Sequence, residues 1–229
     1  MAMARCIICE KWGGLFGGKL SPDGFCRRCY DEHQPVIATH ERRLLKTFKA
    51  AQSAKRHETK LSNIADAIES TDILLKYEGY GIAVIQPPAS TFQHQLRDAQ
   101  STAVNEMIRD LRFEADQKAA DAKTAAGKVG AYNKAIERLH KIFDYAEDLT
   151  GVQTTIAELR NKRDQLHYQQ FKNKAAAALA KGNQKAALSC YVDAFIALKS
   201  DSTPDEQQRN ILSEVEGKIK ELGGTVPDV

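Results

Sequence analysis

From about Val36 to the end of the chain, apolar residues recur at steps of three and four, the spacing of a helix with one buried face. Phe92, Leu96, Ala99, Ala103, Met107, Leu111, Ala115, Ala119 and Ala122 form the clearest stripe. They predict a helix that is capped by Ser90 or Thr91 and runs to about Ala125. Tyr132, Ile136, Leu139, Phe143 and Ala146 predict the next helix, with Gly127 and Gly130 as punctuation before it. Gly151 then separates a helix over about Gln153–Lys181, and Gly182-Asn183 reads as a turn before a helix to about Lys199. Thr203-Pro204-Asp205-Glu206 is a helix-start sequence, with Thr as cap and Pro at the first helical position, and the last helix stops at Gly223-Gly224. Upstream, Val36–Tyr77 reads as one or two helices with a weak point near Ser53–Thr59. Ile82–Pro88 reads as extended, because the residue before a proline is pushed out of the α region.

Residues 1–35 have no such period. They hold four of the five cysteines and the one tryptophan, with glycine pairs at 13–14 and 17–18. The predicted organisation is a small metal module over 1–35 and an all-helical body over 36–229, with a sub-boundary near 79–90. With 229 residues the chain is long enough for that division. Net charge is +3, from 33 basic and 30 acidic residues, so whole-molecule charge exerts little pull toward nucleic acid or an anionic membrane. The longest apolar stretches, Gly81–Ile85 and Ala175–Ala180, fall well short of the ~20 residues that span a bilayer. No apolar signal-peptide core is seen at the start, and a reducing cytoplasm is the expected compartment.

The module carries the chemistry. Cys6-x2-Cys9 and Cys26-x2-Cys29 are separated by 16 residues. Each pair makes a tight turn that aims two sulfurs at one point, and two such pairs are the ligand set of tetrahedral zinc. The alternatives are buried thiol pairs or disulfides, but no thioredoxin-like unit accompanies the pairs. One structural zinc ion is expected, with all four positions filled and none open for catalysis. Leu15-Phe16 and Lys19-Leu20 are predicted to form short strands around Gly17-Gly18, and Ser21-Pro22-Asp23-Gly24 to form a turn. Trp12, Leu15, Phe16, Leu20 and Phe25 would be the module's core. Cys26 and Cys29 are placed at a helix N-terminus, where the dipole favours thiolates and Arg27 and Arg28 offset their charge.

The run CIICEKWGGLFGGKLSPDGFCRRCY resembles small bacterial zinc-ribbon or treble-clef modules. Two departures stand out: an inserted residue within Leu20–Cys26, and Glu10 where glycine often follows the second cysteine. The resemblance covers about a tenth of the chain and implies zinc binding without a defined activity. Within Phe171–Leu198, the residues Ala178, Gly182, Ala186, Ala187, Leu188, Tyr191, Ala194, Phe195 and Leu198, followed by Pro204, resemble one tetratricopeptide unit. The unit spans about 165–222, and it implies a packed helical hairpin. Cys190 inside it reads as a small buried apolar residue. The expected fold is therefore mainly α: an N-terminal zinc ribbon with a short β-hairpin, then an all-helical hairpin or bundle body with a tetratricopeptide-like end.

Glu137-x2-His140 and Asp164-x2-His167 match the carboxylate–histidine spacing of di-metal helical bundles. Their basic neighbours place both on polar faces, and two further inward carboxylates are missing. No phosphate-binding glycine loop or nucleophile elbow occurs. The expectation is a non-enzymatic adaptor that contacts a protein partner, with the 91–125 helix and Pro87-Pro88 as places for that contact or for a homodimer. The alternative is a nucleic-acid-associated regulator that uses the basic stretch Arg42, Arg43, Lys46, Lys49, Lys55, Arg56 and Lys60.

Overall fold

The computed structural model describes residues 5–11, 19–146, 148–200 and 204–228. Among these there are seven helices: α1 (Arg27–Ser53), α2 (His57–Gly79), α3 (Ala89–Asp121), α4 (Ala125–His140), α5 (Thr150–Ala180), α6 (Gln184–Lys199) and α7 (Asp205–Glu221). The fold is all-helical, and this corrects the expected β-hairpin: the described residues contain no strand. On either side of the predicted hairpin, backbone hydrogen bonds close turns. Ser21 N–H donates to the Phe25 carbonyl (2.8 Å), Gly24 N–H to the Ser21 carbonyl (2.9 Å), and Cys6 N–H to the Lys11 carbonyl (2.9 Å). Trp12, Leu15, Phe16, Gly17 and Gly18 lie outside the described residues, as does Thr203.

Several element boundaries differ from the sequence reading: Gly151, read as a separator, lies inside α5, and α4 ends at His140, before Phe143 and Ala146. α1 starts at Arg27, nine residues before Val36, and carries Pro35 inside it. The proline is exposed and its own carbonyl accepts from Thr39 Oγ1 (2.7 Å), so the ring is turned toward solvent where the missing N–H is tolerated. Gly127 and Gly130 lie within α4, which Thr124 caps by accepting the Gly127 N–H (3.1 Å). A Cβ on Gly127 would sit 3.2 Å from Ala122 Cβ, so this glycine provides room for the tight entry into the helix. α3 begins at Ala89, and the cap is not a local hydroxyl. The Glu78 carboxylate at the end of α2 accepts the N–H groups of Ala89 and of Ser90. A carboxylate there also complements the helix dipole.

The chain divides into two compact units, residues 1–107 with 145–147 and residues 108–144 with 148–229; the boundary falls inside α3. In the first, Leu44 of α1 and Leu61, Ile64 and Leu74 of α2 are fully buried. Phe48 packs edge-on against Phe92 with centroids 5.3 Å apart, and Ile82, Val84 and Ile85 bury the non-helical link. In the second, α5 and α6 form a hairpin through Lys181-Gly182-Asn183. Gly182 supplies a φ of +72° and Asn183 caps α6 by accepting the Ala186 N–H (3.0 Å). Tyr168, Ala187, Phe195, Leu198, Val215 and Ile219 form its core, with Cys190 partly buried against it. Among the described residues no helix is long and apolar enough to cross a membrane.

Candidate metal centre

Backbone contacts shape the first cysteine pair. Ile7–Cys9 make a turn that closes when Glu10 N–H donates to the Cys6 carbonyl (2.9 Å). Glu10 takes a φ of +56°, a left-handed conformation that side chains rarely adopt. This is the position where the resembled modules often carry glycine, and the structure supplies the backbone reason. The second pair lies on the helix start. Cys26 is the N-cap residue of α1 and Cys29 is three residues on, in its first turn. Gly24, with a φ of +81°, brings the turn before Cys26 against the first knuckle: Ile7 N–H donates to its carbonyl (3.2 Å), and a Cβ on it would meet Ile7 Cγ2 at 3.1 Å.

The result is convergence. One sulfur from each of Cys6, Cys9, Cys26 and Cys29 lies within 4.8 Å of the other three. All four are free cysteines, so the disulfide alternative is not realised. Cys9 Sγ and Cys26 Sγ are 3.7 Å apart. A zinc tetrahedron with Zn–S bonds of about 2.3 Å has an edge of about 3.8 Å. Cys6 and Cys29 are buried, while Cys9 and Cys26 are half-buried. Cys26 N–H also donates to Cys6 Sγ (3.3 Å).

Electrostatics show what this donor set lacks. Burial raises the Cys6 thiol, but backbone N–H groups of Cys9, Cys26 and Ile8 outweigh it and bring the value down to about 6. Burial, with the neighbouring sulfurs of Cys26, Cys9 and Cys6, pushes Cys29 up to about 12. Four sulfurs this close cannot all ionise without a positive charge among them. A dication removes that conflict, so the residues fit a metal ion.

Phe25, next to Cys26 in the chain, is fully buried. It stacks on His33 with centroids 6.4 Å apart, and His33 Nδ1 lies 3.2 Å from the Tyr77 hydroxyl on α2. His33 thus ties the centre to the helical pair and is not among the converging groups. Its role shows in no sequence motif, because Tyr77 is 44 residues away.

The other sequence candidates fall apart or fall elsewhere. Among the described residues, the four cysteines are the one group of three or more His, Cys, Asp or Glu side chains close enough to hold a metal. Glu137 pairs with Lys141 (3.7 Å) and His140 packs edge-on against Phe143. Asp164, expected on a polar face, is instead buried and takes a hydrogen bond from Arg163 Nε (2.6 Å). Of the basic stretch, Arg43 is bound by Asp66 and Glu69, each at 2.8 Å, and Lys60 pairs with Glu106 (3.4 Å). Arg42, Lys46 and Lys49 are exposed on one outer face of α1, with Lys55 and Arg56 exposed in the turn to α2.

Comparison with protein-family models, curated proteins and solved structures gives no match to this chain. Neither the zinc-module nor the tetratricopeptide resemblance gains support from relatives, and the reading of the centre rests on its own geometry.

Proposed function

We propose that this chain is a non-enzymatic zinc-binding interaction protein of the cytoplasm. One zinc ion, held by Cys6, Cys9, Cys26 and Cys29, fastens the N-terminal segment to the first turn of α1. The observation that carries the proposal is the meeting of four free sulfurs with a 3.7 Å edge. Zinc is preferred over harder ions because four thiolates are soft donors in a small tetrahedral space. The ion fills its positions with protein ligands, which suits a structural role. The helical body then offers its outer faces to a protein partner. The apolar stripe of α3 is largely buried within its own chain. Phe113, 63% exposed, is what that helix leaves outward for self-association. The test is association of the zinc-loaded chain, alone by sedimentation and with proteins of its native host by affinity capture, against a Phe113→Asp variant. A strict monomer that captures nothing reproducibly contradicts the adaptor reading.

The nucleic-acid reading is favoured by one observation: Arg42, Lys46, Lys49, Lys55 and Arg56 are exposed and make no ion pair among the described residues. Such a stripe predicts binding that weakens steeply with salt. Failure to retard DNA or RNA even at low salt removes it.

A further inference from the structure

In the second unit, a cavity of about 400 Å³ lies among α4, α5 and α6. That is within the size range of small-molecule sites. The metal centre makes no use of it. Arg163, Asp164, His167 and Phe171 line it from successive turns of α5, and Ala197 and Leu198 line it from α6.

Its polar groups are incompletely satisfied. Asp164 is 8% exposed. Its Oδ1 accepts from Arg163 Nε at 2.6 Å, but Oδ2 is buried with no partner. A buried acceptor left without a donor is costly, more so when it is charged. Arg163 uses one N–H on this contact, and its terminal nitrogens make no other bond among the described residues. The cavity wall therefore holds an unpaired acceptor, itself closed to solvent, and open donors on the neighbouring residue, with no net charge between them. A simple cation meets a carboxylate that Arg163 already half-neutralises, and Arg163 repels it. A simple anion meets the converse. A molecule that carries an ammonium and a carboxylate on one carbon satisfies both groups at once. Phe171 and Leu198 give the remainder of the wall an apolar surface.

We propose that this cavity binds a free amino acid with an apolar side chain. Its ammonium bonds the Asp164 carboxylate once that side chain turns toward the cavity, its carboxylate bonds the Arg163 guanidinium, and its side chain lies against Phe171 and Leu198. The site is independent of the metal centre and can fail without it.

Calorimetric titration of the full-length, zinc-loaded protein with L-leucine tests this. Two analogues each lack one charge: 3-methylbutylamine has no carboxylate and 4-methylpentanoate has no amine. Leucine is expected to bind saturably, with a dissociation constant on the order of 1 mM or below, and each analogue about tenfold or more weakly. Asp164→Asn is expected to abolish the preference for leucine over 4-methylpentanoate. Ala197→Phe, at an exposed position on the cavity wall, is expected to block binding with helix content unchanged, and it serves also if Asp164→Asn does not fold. No saturable leucine binding up to about 10 mM overturns the proposal. Equal binding of either analogue, or unaltered leucine binding by Ala197→Phe, also overturns it.

Discussion

Glu10 sits in a left-handed backbone with a φ of +56° immediately after the first cysteine pair. That conformation costs an L-residue roughly 1–2 kcal/mol, and glycine escapes the cost but gains about 0.5–1 kcal/mol of extra unfolded-state entropy. Glu10→Gly is therefore expected to stabilise the zinc-loaded protein by about 0.5–1 kcal/mol, read as a higher urea midpoint at unchanged slope. A lower midpoint would mean that the Glu10 side chain does something the backbone account omits. At this scale the convergence of the four cysteines was legible in the sequence, because their spacing encodes it. The status of His33 and Asp164 was not. His33 depends on Tyr77 across a helix pair, and Asp164 depends on Arg163 folding over it in place of solvent. Adjacent basic residues in a sequence do not tell which way either side chain turns.

Among the elements, α3 was the most legible: Phe92, Leu96, Ala103, Met107, Leu111, Ala115 and Ala119 are all buried, and Ala99 and Ala122 are half-buried. A 3.6-residue period is a direct consequence of one-sided burial. The helix ends were less legible, because breakers act through context. Pro35 sits on the solvent side of α1, and Gly127 and Gly130 lie inside α4. If Pro35 is only tolerated, Pro35→Ala restores an i→i−4 bond and should stabilise by about 1–3 kcal/mol, with an increase in helical circular dichroism. No gain would show that the proline matches a bend that the helix needs. At the other hairpin, Asn183 accepts the Ala186 N–H as the cap of α6. Asn183→Ala is expected to cost about 1 kcal/mol in thermal or chemical unfolding. An effect below about 0.3 kcal/mol would show that water replaces the cap at no expense.

For the molecule as a whole, charge and metal make separable claims. If the outer face of α1 contacts nucleic acid, replacing Arg42, Lys46 and Lys49 with Gln should flatten the dependence of log affinity on log salt by about 2–3. Zinc loading should be unaffected, since none of the three approaches the sulfurs. An unchanged slope would assign any observed binding to another surface. The all-helical architecture followed from composition and period. The absence of strand among the described residues did not, because short segments beside a turn such as Ser21–Gly24 are as compatible with further turns as with strands. The metal claim is the central one, and a structural zinc ion would contribute on the order of 10 kcal/mol to folding. It is tested most directly by zinc-to-protein stoichiometry from elemental analysis of the purified chain beside Cys26→Ser and Cys190→Ser. The account predicts one zinc per chain in the parent and in Cys190→Ser, and loss of tightly held zinc in Cys26→Ser. Zinc absent from the reduced parent protein, or retained undiminished by Cys26→Ser, would contradict it.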